Sequence, residues 1–279
     1  MSAAEQVRAL YRGLDILEFL GTEGPSSLHQ IHLGTRLPKS SLRRLLATLV
    51  ERRFVRVGLT DGMYRSNIAT LQAVNPRDSV LIARLVEVAR PHMLDLTQAV
   101  QWPVNLHFFV NGRMRVIEST HGRSPFNHAT GGDVEVEVNI FVAASGLAYL
   151  ACLKESEVLD IVKLVQDDEL ASAERYGVTP KMLKTMLEQV RKSGYGTRKA
   201  PQLRKLDRRA IAVAVHNGQR PVGALAIIWP KKLMDEDEFA ALHLEKLQRA
   251  AAAISAQLGS TVRARSSSPG AQASVSVQP

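Results

Sequence analysis

Residues 25–65 are crossed by breaks so closely spaced that only short elements fit between them. A helical pattern over Ala4–Leu20 ends at Gly21-Thr22-Glu23-Gly24-Pro25, and Ser26 or Ser27 can cap the next helix by accepting an unpaired backbone N–H. That second helix has room to run only to about Thr35. Pro38 then sits near the first turn of a third helix, where its missing N–H costs nothing, and the pattern continues to about Arg53. Phe54–Val57 and Met63–Arg65 flank Asp61-Gly62, a dipeptide suited to a tight hairpin turn. Three helices and a hairpin make a winged helix-turn-helix.

The third helix carries chemistry as well as shape. Leu42, Leu45, Leu46, Leu49 and Val50 share one face, which leaves Ser40, Arg44, Ala47 and Glu51 opposite and Arg43 and Thr48 at the flanks. Between Arg36 and Arg56 there are seven basic residues and one acid. An α-helix fits the DNA major groove, where arginine can fork onto a guanine edge and hydroxyls can reach bases or phosphates. Lys39, Ser40, Ser41, Arg43, Arg44 and Thr48 are therefore the candidates for base or phosphate contact. Ser26 and Ser27 at the second helix, with Arg56, Tyr64 and Arg65 in the wing, are candidates to grip the phosphate backbone and fix register. A solvated amphipathic helix is the bland alternative; the short preceding helix, the turn length and the Asp-Gly hairpin weigh against it.

The remaining chain reads as a second, α+β unit. A long helical pattern fills Ser79–Val100, with Pro91 expected to bend it. Strand patterns at Trp102–Val110 and Met114–Glu118 flank the two-residue turn Asn111-Gly112, and those at Ala210–Val215 and Val222–Trp229 flank His216-Asn217-Gly218. Helical patterns occupy Val142–Leu153, Ser156–Val165 and Thr179–Lys192, with Gly194 placed to cap the last, and a final helix spans Asp235 to about Leu258. The expected division is a winged helix at 1–74, a linker helix at 75–101, a mostly antiparallel α+β domain at 102–259 and a disordered tail at 260–279.

With 279 residues, two cores of ordinary size are affordable. A formal net charge of +9 favours polyanionic partners. No apolar run is long enough to span a bilayer and no secretory signal is visible, so a cytoplasmic protein with no membrane partner is expected. Cys152 stands alone among apolar neighbours and reads as a buried, inert thiol. No histidine has companions at metal spacing, and neither Gly-x-Ser-x-Gly nor a phosphate-binding glycine loop occurs, so no catalytic machinery, metal or cofactor is expected. Asp133–Val138 alternates charge with valine, as an exposed strand or loop does. A second basic cluster, Arg191 to Arg209, reads mainly as a solvated face.

Residues 7–71 closely resemble the N-terminal domain of the IclR family of bacterial transcription regulators, through Arg12-Gly13-Leu14 and Leu37-Pro38-Lys39-Ser40-Ser41-Leu42-Arg43-Arg44-Leu45-Leu46-Ala47-Thr48-Leu49. The similarity continues through Ala143–Ala151, Gly194-Tyr195-Gly196 and Ala210–Val215. It implies a GAF-like effector-binding domain behind the linker helix, and a homo-oligomer, a dimer or a dimer of dimers, that sets two reading helices on a palindromic operator. Gly146 matches a ligand-contacting glycine of members that sense small oxoacids. An ungapped alignment, however, sets Arg198, Ala210, Ile227 and Trp229 where an acid, a cysteine and two serines would hold the oxoacid. An arginine beside apolar and indole surface suits an aromatic carboxylate instead, with Trp229 packing on the ring and His128 or His121 supplying a further donor.

Gln101-Trp102-Pro103, Ser119-Thr120-His121, Ser145-Gly146-Leu147 and Arg198 are similar to the branch of that family regulating aromatic catabolism, such as 3-(3-hydroxyphenyl)propionate degradation. That branch implies an activator, for which RNA polymerase is a further partner, and it adds Ser145 to the effector contacts. The competing expectation is a ligand sensor or small-molecule enzyme whose winged helix mediates protein contacts.

Overall fold

A computed structural model describes residues 7–67, 76–126, 136–168, 171–198 and 207–266. The N-terminal unit contains α1 (Arg8–Glu23), α2 (Leu28–Thr35), α3 (Lys39–Glu51) and the antiparallel pair β1 (Val55–Val57) and β2 (Tyr64–Ser66). Ser27 starts α2 with a reciprocal cap: its hydroxyl accepts from Gln30 N and its own N–H donates to the Gln30 side chain at 2.8 Å. Pro38 precedes α3 at φ −57° and closes the connection from α2. Ile16, Leu20, Ile31, Leu37, Leu42, Leu46 and Val55 form the core of this unit.

Helix α1 differs from the expected pattern. Gly13, Ile16 and Leu20 are its buried residues, whereas Val7, Leu10, Tyr11 and Leu14 are exposed, Leu10 at 63%. The apolar stripe is therefore two stripes, because the three-helix core is too small to cover a helix of sixteen residues along its whole length.

Helix α4 (Pro76–Val100) continues through Pro91 and leads into a six-stranded antiparallel sheet of order β5-β4-β3-β8-β7-β6. Its strands are β3 (Val104–Val110), β4 (Arg113–Ser119), β5 (Glu137–Asn139), β6 (Gly196–Thr197), β7 (Arg208–Asn217) and β8 (Arg220–Pro230). Asn111 and Gly112 take φ of 46° and 78°, the left-handed pair that lets a two-residue loop follow the strand twist. The sheet divides two cores. On one face α4 and α8 (Glu236–Ser266) pack on Leu106, Phe108, Ile211, Leu225, Ile227 and Trp229. On the other, α5 (Ala144–Leu150) lies on the sheet over Ala210, Ala212, Ala224 and Ala226, α7 (Pro180–Ser193) packs on α5, and α6 (Glu155–Leu164) adds Val158 and Ile161 to the same core. Those alanines let α5 lie close to the sheet, and Gly146 lets it meet the preceding loop, where a Cβ would come 2.1 Å from the Ile140 carbonyl oxygen.

Gly194 caps α7 at φ 80°, as its sequence position suggested. Helix α8 runs on to Ser266, past Gly259, so the expected start of a disordered tail at residue 260 is corrected; upstream, Ala250–Ala253 are the strongest helix formers of this half of the helix. Residues 267–279 lie outside the described residues. No helix among the described residues is long and apolar enough to cross a membrane.

Candidate functional site

The candidate DNA-reading surface forms because α3 buries Leu42 and Leu46 completely and thereby turns Lys39, Ser40, Arg43, Arg44, Ala47 and Thr48 outward. Ser41 is half-buried at its edge. The Thr48 hydroxyl already donates to the Arg44 carbonyl at 3.1 Å, so it reaches a base only by exchanging that bond. Of the backbone-gripping candidates, Ser27 is spent on its helix cap, and Tyr64 and Arg56 are half-buried in the wing, Arg56 donating to Asn67 Oδ1 at 2.8 Å.

Two of those candidates are corrected. Ser26 is buried: its hydroxyl donates to the Gly24 carbonyl, and its backbone N–H and C=O pair with Tyr64 at 3.0 and 2.8 Å, which fastens the wing to α2. Arg65 is 4% exposed and forks onto Asp61 at 2.5 and 3.0 Å, bracing the hairpin instead of presenting a cation to phosphate. Burial pushes the Asp61 carboxyl up, but the Arg65 hydrogen bonds and charge and the Met63 N–H outweigh it and hold its pKa below the usual value.

The second site is a cavity of about 270 Å³ between the sheet and α5. Strand alternation builds it. Asn105 and His107 of β3, Arg208 and Ala210 of β7, and Ala226 and Ile228 of β8 point to this side, joined by Val116, Val138, Ser145 and Arg198. A bulge in β4 sharpens the division. His107 pairs with Val116 but Leu106 with Glu118, so Ile117 is the extra residue. Strict alternation from Val116 would aim Glu118 at the cavity; the bulge sends it to the α4 side and turns Ser119 towards Asn105. No carboxylate lines the cavity among the described residues.

Its electrostatics are accordingly cationic. The Arg198 guanidinium donates to the Arg208 carbonyl at 3.3 Å and has no acidic partner among the described residues. Burial, then the like charge of Arg208, pull its pKa down to about 10, so it stays charged at neutral pH. His107 is pulled to about 4, first by burial and then by Arg198, and its Nδ1 is buried without a hydrogen-bond partner. The site thus holds two arginine side chains, Arg198 and Arg208, and one neutral imidazole able to donate or accept.

Of the residues expected from the sequence, Ser145, Arg198 and Ala210 line this cavity, and Gly146 shapes it by letting α5 approach. Ile227 and Trp229 do not line it. They sit one residue out of phase with Ala226 and Ile228 and therefore face the α4–α8 core, where Trp229 stacks on Phe239 at 3.7 Å and donates from Nε1 to the Met234 carbonyl. His128 lies outside the described residues. Asn105, His107 and Ile228 were missed. The signal for the first two was in the sequence: two polar residues at i and i+2 in the otherwise apolar strand Val104–Val110. The second basic cluster is divided among tasks. Arg191 donates to the Ala151 and Leu153 carbonyls, Arg209 to the Met234 carbonyl, and Arg198 enters the cavity.

Residues 9–58 match the IclR helix-turn-helix domain, and residues 79–256 match the bacterial transcriptional regulator IclR C-terminal domain. Among solved structures, the chain is similar to Thermotoga maritima IclR at 20% identity and a TM-score of 0.53, over 91% of this chain and 100% of that one. An IclR family transcriptional regulator from Brucella abortus matches at 22% identity and TM-score 0.53, covering 91% and 93%. An IclR homologue from Microbacterium hydrocarbonoxydans, solved with 4-hydroxybenzoate, matches at 20% and 0.51, covering 90% and 99%. A winged helix with an exposed basic reading face, joined by a helix to a sheet domain enclosing a cavity, defines a DNA-binding transcriptional regulator with an effector domain. The chain belongs to the IclR family, whose members regulate transcription and are not enzymes.

Proposed function

We propose that this regulator controls an operon for the breakdown of aromatic compounds and that an aromatic carboxylate, seated in the cavity, is its effector. The carrying observation is the Arg198 guanidinium, charged and facing a cavity in which, among the described residues, it has no acidic partner and no carboxylate lines the walls. A carboxylate on Arg198 makes a charge-assisted fork. Val116, Val138, Ala210, Ala226 and Ile228 supply apolar surface for a ring, and His107 and Ser145 supply hydrogen bonds for a ring hydroxyl. A volume of about 270 Å³ suits a single-ring acid, since a cavity of about 150 Å³ holds benzene. The 4-hydroxybenzoate bound by the Microbacterium homologue is an acid of this kind.

Lys39, Ser40, Ser41, Arg43, Arg44 and Thr48 would contact operator DNA, with Arg56 and Tyr64 at the backbone. The uncovered face of α1, Leu10, Tyr11 and Leu14, with Val7 just before it, supports pairing with a second copy, which the two half-sites of a palindromic operator require. Activation, with RNA polymerase as a partner, follows from the resemblance to the aromatic-catabolism branch alone. Calorimetric titration with 4-hydroxybenzoate, 3-(3-hydroxyphenyl)propionate and pyruvate tests the effector class. Binding of an aryl acid by the wild type and its loss in Arg198→Gln support the reading; binding of pyruvate but of no aryl acid overturns it. A promoter–reporter strain lacking the regulator tests the sign, with lower expression expected.

A further inference from the structure

The wing of the DNA-binding domain rests on the end of a strand whose other contacts reach the cavity. Asn105 lines the cavity, and its Oδ1 accepts from the Ser119 hydroxyl at 2.7 Å at the C-terminal end of β4. The backbone carbonyl of that same Ser119 accepts from the Thr60 hydroxyl, which belongs to the loop between β1 and β2. The neighbouring Glu118 is 1% exposed and consolidates the seat: its Oε1 accepts from Leu59 N at 3.3 Å and Ser119 N at 3.1 Å, while its Oε2 is forked by Arg90 of α4 at 2.8 and 3.0 Å. Arg90 also donates to the Val57 carbonyl at the end of β1. The fit is close. A Cβ at Gly122, in the turn after β4, would lie 2.7 Å from the Thr60 carbonyl oxygen.

We propose that Asn105–Ser119–Thr60 is a relay that ties the position of the wing to the occupancy of the cavity, with Asn105 as the positioning residue at its inner end. The inference rests on reading the cavity as the effector site. The amide nitrogen of Asn105 takes no partner among the described residues, so a ligand oxygen can engage the amide whose carbonyl oxygen holds Ser119. A ligand that turns this amide weakens the Ser119 bond at one end and loosens the Thr60 contact at the other. Two wing states, seated and released, supply the bistable element that coupling between sites demands. By linkage, DNA that favours one wing state changes ligand affinity by the same factor as ligand changes DNA affinity.

Amide hydrogen exchange of the full chain, without ligand, tests the relay directly. Thr60→Val and Ser119→Ala should each raise exchange in peptides spanning residues 57–62 by about fivefold or more, and Asn105→Ala should do the same although it lies inside the other domain. The Asn105→Ala/Thr60→Val double variant should exchange no faster than Thr60→Val, and peptides from α3 should match the wild type, which excludes general unfolding. Wild-type exchange at residues 57–62 in both Asn105→Ala and Ser119→Ala, or additive effects in the double variant, would overturn the proposal. Titration of 4-hydroxybenzoate into the wild type is the separate arm: its failure to bind counts against the effector reading and leaves the ligand-free exchange results to decide the relay.

Discussion

Arg43 and Arg44 project from α3 with no apolar work to do, so replacing both by alanine should leave the thermal stability unchanged while removing operator affinity. A good bidentate arginine contact is worth about 1–3 kcal/mol, so the loss should be tenfold or more, measured by fluorescence anisotropy. Arg65→Ala should behave differently: because that side chain is buried on Asp61, its loss should lower the melting temperature of the domain before it affects DNA contacts. His107 yields a pH prediction. Its folded pKa of about 4 lies below the ordinary 6.5, so the unfolded chain binds the extra proton first, and stability falls as pH drops through that window. The full effect is about 3 kcal/mol. A denaturant series from pH 7 to 4 should show a flatter pH dependence for His107→Gln than for the wild type. Equal slopes would mean that burial of this imidazole has no thermodynamic consequence.

At the scale of elements, legibility followed periodicity and punctuation. The three N-terminal helices and the Asn111-Gly112 turn could be read because short-range backbone preferences decide them, whereas the β1–β2 hairpin turns through a longer loop, residues 58–63, with only Gly62 of Asp61-Gly62 left-handed. Facing was harder. The Leu10–Leu14 stripe has the spacing of a core face, and spacing cannot say whether the covering surface belongs to the same chain. Substituting Leu10 and Leu14 by lysine should shift the protein towards monomer in sedimentation while α3 and its core stay folded; an unchanged oligomer would assign pairing to another face. The cavity strands show the same limit. An ungapped alignment chose Ile227 and Trp229, and one residue of slip in a strand exchanges one core for the other. Ala226 and Ile228 carry no functional signature of their own, so only the sheet register locates them at the cavity. The β4 bulge was equally invisible, because an extra residue in a strand leaves no mark in apolar periodicity.

In the whole molecule, the sheet separates the face packed on α4 and α8 from the face that carries the cavity, and the wing touches the end of the strand at which those faces exchange residues. Arg53 adds a surface pair to Glu87 of α4 at 2.6 Å, worth little by itself in solvent, whereas the Arg90–Glu118 pair is largely enclosed. Glu118→Ala should therefore be costly: it leaves Arg90 without its carboxylate and the Leu59 amide without its acceptor, a loss of about 3–5 kcal/mol readable in a denaturant titration. The most direct measurement of the whole account is selection of DNA from a random pool by the full chain, followed by affinity of the selected sequence across a salt series. A palindromic site is expected, bound with a steep fall in affinity as salt rises, and bound at least tenfold more weakly by Arg43→Ala/Arg44→Ala. Equal affinity of that variant for the selected site would contradict α3 as the reading element.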